Sequence, residues 1–310
     1  MMKQIIVFVT LFLILGTLIA YFIIDKKQEP LDFNKDIREA AGGKFIQLSK
    51  GLVHYEIIGS DDKPLIILVG GGGLGYNIWD PNIDKFIQSG FRVLRYDHYG
   101  RGYSDKVNED YSLDLYYGQF KEFLDALEIQ EPFHLAGVSM GAMVAMKYTV
   151  ENQNKILKLI LIDPAGIHPF RAPFVLKVPV VSHLLMTFYW RPKAIQSQIE
   201  EFYKPEKFPE YRKELEKQIS LKGYKKVQKS IWLNTLSIDM TDYIKQLGQL
   251  DKEIMLVWGK QDTRTRIESS KLYLESIKDI VFLPVDKAGH LSNYERPEIV
   301  NPAVIRFLKR

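Results

Sequence analysis

The chain has 310 residues, of which 46% are hydrophobic and 26% are charged, a composition typical of a globular protein with a substantial core. This length allows one large α/β domain or two smaller ones, and a formal net charge of +4 is too small to indicate a nucleic-acid partner. Because the chain has no cysteine, disulfides, thiolate metal ligands, a cysteine nucleophile and a lipidated N-terminal cysteine are excluded.

An uninterrupted apolar run extends from Ile5 to Ile24. As a helix of about 20 residues it would span the roughly 30 Å hydrocarbon layer of a membrane, so residues 1–28 are predicted to form an uncleaved single-pass anchor. The alternative is a cleaved signal peptide, whose apolar region is normally shorter. The Lys and Arg residues after the run favour a cytoplasmic main domain by the positive-inside rule, whereas a signal anchor would place that domain outside. The side of the membrane is left open.

Between residues 44 and 164 the sequence alternates between short apolar segments and helical patterns. The alternation of apolar and polar residues around Lys50-Gly51 predicts a β-hairpin. The later segments are continuously apolar, as in strands buried on both faces of a parallel sheet. The predicted strands are 44–48, 52–58, 64–69, 91–96, 132–136 and 157–162, and the clearest helix is 113–127. The polar stretch 28–43 is predicted to be a linker or a short surface helix.

The alternation stops at Ala165. From there to about Leu236 the helical periodicity, scattered prolines and many aromatic residues predict a helical insertion. Its central part, 191–230, holds eleven Lys and Arg against six Asp and Glu; it is either a solvated helical surface or a lid that faces an anionic membrane. Strands 253–258 and 280–285 then resume the alternation, together with helices 267–277 and 297–310.

A serine lies at the junction of a predicted strand and helix, in the sequence Gly137-Val138-Ser139-Met140-Gly141. A serine at the tip of such a turn takes a strained backbone conformation and needs small neighbours two residues away on each side. The N-terminus of the following helix would favour an anion that forms beside it. A chance G-x-S-x-G pattern in a glycine-rich loop is the alternative, but the flanking strand and helix favour a nucleophilic serine.

A serine nucleophile requires a base to take its proton and an acid to orient that base. In a parallel α/β sheet such groups gather in loops at the carboxyl ends of the strands. Of the six histidines, His290 is the one in a loop after a late strand, so it is the predicted base; a partly buried structural histidine is the alternative. Asp262, in the turn after strand 253–258, is the predicted acid, with Asp163 as second choice. Helix capping is the alternative role for both carboxylates.

The chain order Ser139, Asp262, His290, together with the G-x-S-x-G motif, resembles the α/β-hydrolase superfamily. The resemblance extends over residues 45–310 and includes Asp97-His98-Tyr99-Gly100-Arg101-Gly102-Tyr103-Ser104 and Trp79-Asp80 after the glycine loop. It implies an α/β fold with a mostly parallel central sheet flanked by helices, and a helical cap at the insertion. The implied division is an anchor (1–28), a core in two parts (29–164 and 241–310) and the cap (165–240).

The resemblance also implies an oxyanion hole of two backbone N–H groups. One belongs to Met140, the residue after the nucleophile; with Trp79 as the reference point, the other belongs to Gly72, or as second choice to Gly71. The sequence departs from the family pattern at Gly70, where a histidine is common. In the family that histidine is expected to steady the loop and takes no part in proton transfer, so this departure bears on the rigidity of the loop more than on the type of reaction. Four consecutive glycines also cost conformational entropy on ordering.

The function implied by the resemblance is that of a serine hydrolase that cleaves an ester or related acyl bond of a small molecule, with no metal or organic cofactor. The family includes carboxylesterases, lysophospholipases, monoacylglycerol lipases, carbon–carbon bond hydrolases and proline-releasing peptidases. The anchor and the apolar stretches 174–176 and 178–181 of the insertion favour a lipid-like ester. The acyl and leaving-group specificity, the oligomeric state and any protein partners do not follow from the sequence.

Two other functions are compatible with parts of the sequence. The fold also serves binding proteins with a weak or inactive triad, and Gly70 fits such a departure. A nucleotide-binding oxidoreductase is the third hypothesis, because a G-x-G-x-x-G pattern starts at Gly70 after a strand and Asp97 ends the next strand. However, Pro81 interrupts the helix that should begin at the glycines, and a nucleotide fold would leave Ser139 and His290 without explanation.

Overall fold

The computed structural model describes residues 2–32 and 35–310. A long helix, α1 (Met2–Gln28), precedes an α/β unit with a helical insertion. Within the described residues, α1 is the one helix that is long and apolar enough to cross a membrane, and none of its residues is buried. The apolar run Ile5–Ile24 is therefore helical throughout, and the helix continues for one further turn.

A central sheet organises the rest of the described chain. Its strands are β1 (Lys44–Gln47), β2 (Leu52–Ile58), β3 (Leu65–Val69), β4 (Arg92–Tyr96), β5 (Phe133–Val138), β6 (Ile156–Ile162), β7 (Glu253–Gly259) and β8 (Val281–Val285), in the order β1-β2-β4-β3-β5-β6-β7-β8. β1 and β2 form the predicted hairpin, β2 is antiparallel to β4, and the other neighbours are parallel. The predicted mostly parallel sheet is confirmed, and the carboxyl ends of β5, β7 and β8 lie at one edge.

Helices cover both faces of the sheet. They are α2 (Lys35–Ala41), α3 (Asp80–Gln88), α4 (Leu113–Ala126), α5 (Met140–Glu151), α6 (Pro179–Leu184), α7 (Ala194–Ile199), α8 (Pro209–Ile219), α9 (Tyr224–Asn234), α10 (Thr241–Leu247), α11 (Ser270–Ser276), α12 (Ser292–Glu295) and α13 (Pro297–Leu308). The segment between β6 and β7 is mainly helical and includes α6 to α9, and its residues 165–240 are called the cap below. The predicted helix 267–277 is shorter than expected, because its first turn is a 3₁₀ turn, Ile267–Ser269.

The buried strands are apolar on both sides because each side faces a separate hydrophobic cluster. In β3, Ile67 and Val69 pack on the side of α4 and α5, whereas Ile66 and Leu68 pack on the side of α3 and α13. Leu215 of cap helix α8 is fully buried in the second cluster. The cap is therefore held on the core by apolar burial as well as by its two chain connections.

Asp97, at the end of β4, joins two glycine-containing loops. Its buried carboxylate accepts hydrogen bonds from the backbone N–H groups of Tyr76 (2.5 Å) and Tyr103 (2.8 Å), and it lies 2.7 Å from Nδ1 of His54. A Cβ on Gly75 or Gly102 would lie 2.1 or 2.0 Å from this carboxylate, so neither position has room for a side chain. These contacts account for the glycine and aspartate that also fit a dinucleotide-binding pattern.

Replacing this carboxylate is expected to destabilise the fold. Asp97→Ala leaves the buried N–H groups of Tyr76 and Tyr103 and the imidazole of His54 without their acceptor. The free energy of unfolding should therefore fall by about 3–5 kcal/mol. Urea denaturation of the full chain in detergent measures this change. Asp84→Ala, at an exposed position on α3, is the control and should change stability by less than about 0.5 kcal/mol. Equal effects of the two substitutions would contradict the structural role given to Asp97.

Candidate active site

Ser139 occupies a sharp turn between β5 and α5. Its backbone has φ of +53°, a conformation that costs free energy for a residue with a side chain. A Cβ on Gly137 would lie 2.6 Å from the carbonyl oxygen of Gly141, and one on Gly141 would lie 2.3 Å from the carbonyl oxygen of Gly70. Both motif glycines are thus required by close backbone approach, which is the geometry that the G-x-S-x-G pattern predicts.

The imidazole of His290 lies between the hydroxyl of Ser139 and the carboxylate of Asp262. Its Nε2 is 2.8 Å from Oγ of Ser139, and its Nδ1 is 2.9 Å from Oδ2 of Asp262. Both distances are hydrogen-bond distances, and the imidazole and carboxylate are buried. The structure therefore brings together the three side chains that the sequence singled out from positions up to 151 residues apart.

The loops after β7 and β8 hold this arrangement. Asp262 accepts hydrogen bonds at Oδ1 from the backbone N–H groups of Arg264 (2.7 Å) and Thr265 (2.9 Å). The hydroxyl of Thr265 donates to Oδ2 of Asp262 at 2.7 Å and lies 3.2 Å from Nδ1 of His290. Thr265 thus fixes the carboxylate that faces the imidazole. The role of Thr265 was not predicted from the sequence, although an aspartate followed three residues later by threonine is a turn signal.

Asp262 and His290 shift each other's pKa in the direction that favours their charged forms. Burial lowers the pKa of His290, but the charge and hydrogen bond of Asp262, with further contributions from Glu201 and Asp163, outweigh burial and raise that pKa to about 9. Burial raises the pKa of Asp262, but His290 and Thr265 outweigh burial and hold it below its ordinary value. The carboxylate of Asp262 therefore stabilises positive charge on the imidazole of His290, and the neutral imidazole becomes more populated as the pH rises.

Asp163, the second choice for the acid, has a different role. It is fully buried, and its carboxylate accepts hydrogen bonds from the backbone N–H groups of Gly259 (2.7 Å) and Ser292 (2.8 Å). These two bonds join the end of β7 to the loop that carries His290. Burial and the nearby charge of Asp262 raise the pKa of Asp163 well above its ordinary value. The geometry therefore favours Asp262 as the partner of the imidazole.

The glycine loop after β3 lies against the nucleophile. Gly71 and Gly72 line the same cavity as Ser139, and Met140 begins α5 directly behind it. The carbonyl of Gly70 accepts a hydrogen bond from Nε2 of His98 at 3.0 Å. Burial lowers the pKa of His98 to about 4, so this imidazole is neutral and fixes the loop without adding charge. A histidine from the neighbouring strand end thus steadies the loop, while Gly72 and Met140 as oxyanion donors stay predictions.

A cavity of about 390 Å³ opens above Ser139 and His290, between the core and the cap. Its walls are mainly apolar, and a few polar groups project into it. The apolar side chains include Ile78, Phe170, Trp190, Ile231, Trp232 and Leu236, and the polar ones include Gln198, Tyr211 and Gln228. Among the described residues no group of three or more His, Asp or Glu forms a metal-binding cluster.

One segment of the cap is bonded directly to the loop of His290. The backbone N–H of His290 donates to the carbonyl of Glu201 at 2.9 Å. The buried carboxylate of Glu295 accepts from the backbone N–H groups of Tyr203 (2.8 Å) and Gly289 (2.7 Å), and burial raises its pKa to about 7. These contacts could not be predicted from the sequence, because they join segments about 90 residues apart and no motif marks them.

The apolar stretches 174–176 and 178–181, which favoured a lipid-like ester, do not line the cavity. Phe174, Val175, Val180 and Val181 are exposed on the outside of the cap, and none of them lines the cavity. The part of the lining that the cap provides comes instead mainly from α7, α8 and α9, from Trp190 and from residues 165–170. An apolar pattern alone does not specify which surface it will face.

Known proteins share this fold over most of the chain. Residues 63–189 match a family model described as the alpha/beta hydrolase fold. The 2-hydroxy-6-oxo-6-phenylhexa-2,4-dienoate hydrolase of Comamonas testosteroni is 23% identical over 295 residues, which is 89% of this chain and 99% of that protein. The solved enol-lactonase from Burkholderia xenovorans LB400 has a TM-score of 0.74 at 19% identity and covers 86% of this chain and 100% of its own.

A further solved structure, of a membrane phospholipase A, has a TM-score of 0.71 at 20% identity and covers 99% of this chain and 98% of its own. This match includes the region of α1. The chain therefore has the alpha/beta hydrolase fold, as the motifs in the sequence implied, and the proteins that it resembles are hydrolases.

The raised pKa of His290 predicts an alkaline pH dependence. The protonated imidazole cannot accept a proton, so kcat/KM for a soluble ester should rise with pH, with its midpoint above the ordinary histidine value of about 6.5. Asp262→Asn removes the charge that raises this pKa, so the midpoint should move to lower pH while the plateau falls. Asp84→Asn is the control. An unchanged midpoint in Asp262→Asn would contradict the electrostatic coupling.

Thr265 is expected to act by positioning Asp262. Thr265→Val keeps the shape of the side chain but removes its donor, so kcat should fall by about three- to tenfold with little change in KM. Thr265→Ser retains the hydroxyl and should restore most of the rate. The measurement is steady-state kinetics on a soluble short-chain ester. A valine variant with wild-type kcat would show that the hydroxyl is dispensable.

Proposed function

We propose that this protein is a serine hydrolase that cleaves an ester or related acyl bond. The observation that carries the proposal is the continuous contact from Ser139 through His290 to Asp262 beneath an apolar cavity. Nucleophile, base and orienting acid are all within hydrogen-bond distance, which is the arrangement that acyl transfer requires. The strained turn exposes the hydroxyl to the cavity.

The proposed reaction follows from these positions. Neutral His290 takes the proton of Ser139 as Oγ attacks the acyl carbon, and Asp262 stabilises the imidazolium that forms. The backbone N–H groups of Gly72 and Met140 stabilise the oxyanion, with the N-terminus of α5 behind it. The imidazolium then protonates the leaving group. A water molecule activated by His290 finally releases the acyl group and restores the serine.

The proposed substrate class is a lipid-like ester held at a membrane. The mainly apolar cavity suits an acyl chain, and α1 has the length and composition of a membrane-spanning anchor. Similarity to a membrane phospholipase A over 99% of this chain supports the same class. We therefore propose that α1 anchors the hydrolase to the membrane from which its substrate comes.

Carbon–carbon bond hydrolysis is the second candidate, because several similar proteins are named 2-hydroxy-6-oxo-dienoate hydrolases. A dienoate carries a carboxylate, which a cation in the cavity would have to bind. Among the described residues that line the cavity, Arg264 is the one Lys or Arg. Its guanidinium is already bonded to Glu201 and to Ser197. This pairing favours an uncharged ester over an acidic substrate.

Covalent labelling tests the proposal. The full chain in detergent should react with a fluorophosphonate probe, and Ser139→Ala should abolish the labelling and lower kcat by more than about a thousandfold. Rates across esters of increasing acyl length, with a dienoate as competitor, define the substrate class. Ser237→Ala, at an exposed position in the cap, is the matched control. A folded but unlabelled wild-type chain would instead indicate a binding protein.

A further inference from the structure

An exposed apolar face of the cap lies beside α1. It is formed by three consecutive turns that pack against one another: a 3₁₀ turn (Phe174–Lys177), α6 and a π-helical turn (Leu185–Trp190). Its outward side chains, called the cap face below, are Phe174, Val175, Val180, Val181, Phe188 and Tyr189. Phe174 is 76% exposed and Val180 is 69% exposed. Contiguous apolar surface of this kind indicates a contact surface, whereas single exposed apolar residues do not.

Polar contacts fix the end of α1 to the same part of the cap. The carboxylate of Asp25 lies 2.5 Å from Nζ of the buried Lys225 and accepts a hydrogen bond from the hydroxyl of Thr187 at 3.2 Å. Gln28 donates through Nε2 to the carbonyl of Thr187 at 2.8 Å. Because these bonds join α1 to the turn that carries Phe188, the cap face has a fixed position relative to the anchor.

The contact between Tyr21 and Phe188 gives the depth of the cap face along α1. Their ring centroids are 6.4 Å apart. Tyr21 lies three residues before Ile24, the end of the apolar run, which corresponds to about 5 Å along the helix axis. When α1 spans a bilayer, Phe188 is therefore level with the boundary between hydrocarbon and headgroups, where aromatic side chains are favoured.

The charges around the cap face favour an anionic lipid surface over a second copy of the chain. Residues 164–199 contain no Asp or Glu, but they include Arg171, Lys177, Arg191 and Lys193. Basic residues around an exposed apolar surface increase the affinity for anionic lipids. Two copies that met through this face would bring the same positive charges together, which is unfavourable.

We propose that the cap face contacts the membrane and places its apolar side chains at the headgroup boundary of an anionic bilayer. The proposal rests on the membrane anchoring proposed above. Tyr189 of the cap face adjoins Trp190, which lines the cavity above Ser139. Contact with the bilayer therefore holds one wall of the substrate cavity at the lipid surface.

Because the chain has no cysteine, single cysteines report this contact directly. The full chain is reconstituted into vesicles of phosphatidylcholine and phosphatidylglycerol with a nitrobenzoxadiazole label at Phe174→Cys or Val180→Cys. Leu274→Cys, at a 43% exposed apolar position on α11, is the matched control, and Leu13→Cys in α1 reports anchoring. Quenching by spin-labelled lipids is expected at residues 174 and 180, strongly at residue 13, and not at residue 274.

Each outcome of the labelling has a distinct meaning. Quenching at residue 13 with none at 174 and 180 overturns the cap face as a membrane surface while α1 remains an anchor. No quenching at residue 13 overturns the anchoring and the cap-face proposal with it. A blue-shifted but unquenched label at residue 174 indicates contact with protein, such as a second copy, and also overturns the proposal. None of these readouts depends on catalysis.

Activity provides the second arm of the test. The double substitution Phe174→Ser and Val180→Ser should lower the rate on a long-chain ester embedded in anionic vesicles by about tenfold. The rate on a soluble short-chain ester should stay unchanged, since neither residue lines the cavity. Leu274→Ser should change neither rate. Equal rates of the double variant and the wild type on embedded ester would contradict the proposal.

Discussion

The first turn of α5 lies directly against the carboxyl end of β3, and this contact is possible only because residue 141 is glycine. A Cβ there would lie 2.3 and 2.4 Å from the carbonyl oxygens of Gly70 and Val69. The close approach places the glycine loop beside Ser139, whose positive φ allows the tight turn into α5. The other parts of the site are built around a nucleophile whose position is already fixed by backbone packing.

Three acids near His290 have separate tasks because their surroundings differ. Asp262 receives hydrogen bonds that keep it charged, and it faces the imidazole. Asp163 is fully buried and uses its oxygens to join two loops. Glu201 reaches the imidazole loop through its backbone carbonyl, while its carboxylate pairs with Arg264. The three acids thus have three different roles. Asp262 orients the imidazole, Asp163 joins two loops, and Glu201 links the cap to the loop of His290.

The sequence was sufficient to predict the sheet, the turn at residue 139 and the meeting of Ser139, Asp262 and His290 in space, because each rests on a local rule. Continuous apolar segments mark parallel strands, glycines two residues either side of a serine mark the turn, and strand ends locate Asp262 and His290. The support from His98 to the Gly70 loop, and from Glu295 to the loop of His290, could not be predicted. Those contacts depend on which loops meet in space, and no local pattern encodes that.

The apolar segment 174–181 is a second example of a contact that a local sequence pattern does not predict. Its composition favoured a lipid-like ester as the substrate. In the structure Phe174, Val175, Val180 and Val181 are exposed on the outside of the cap. An apolar composition indicates that a segment is more stable in contact with another apolar surface than with water. Which surface it contacts depends on how the neighbouring turns pack.

The bonds between the cap and the loop of His290 have a mechanical consequence. Because Glu201 accepts from the backbone of His290, and Glu295 holds both Tyr203 and Gly289, the inner edge of the cap is structurally part of the imidazole loop. A rigid rotation of the whole cap away from the core would break the hydrogen bonds of Glu201 and Tyr203 or displace the backbone that carries the imidazole. The inner edge of the cap and the loop of His290 are in this sense one mechanical unit.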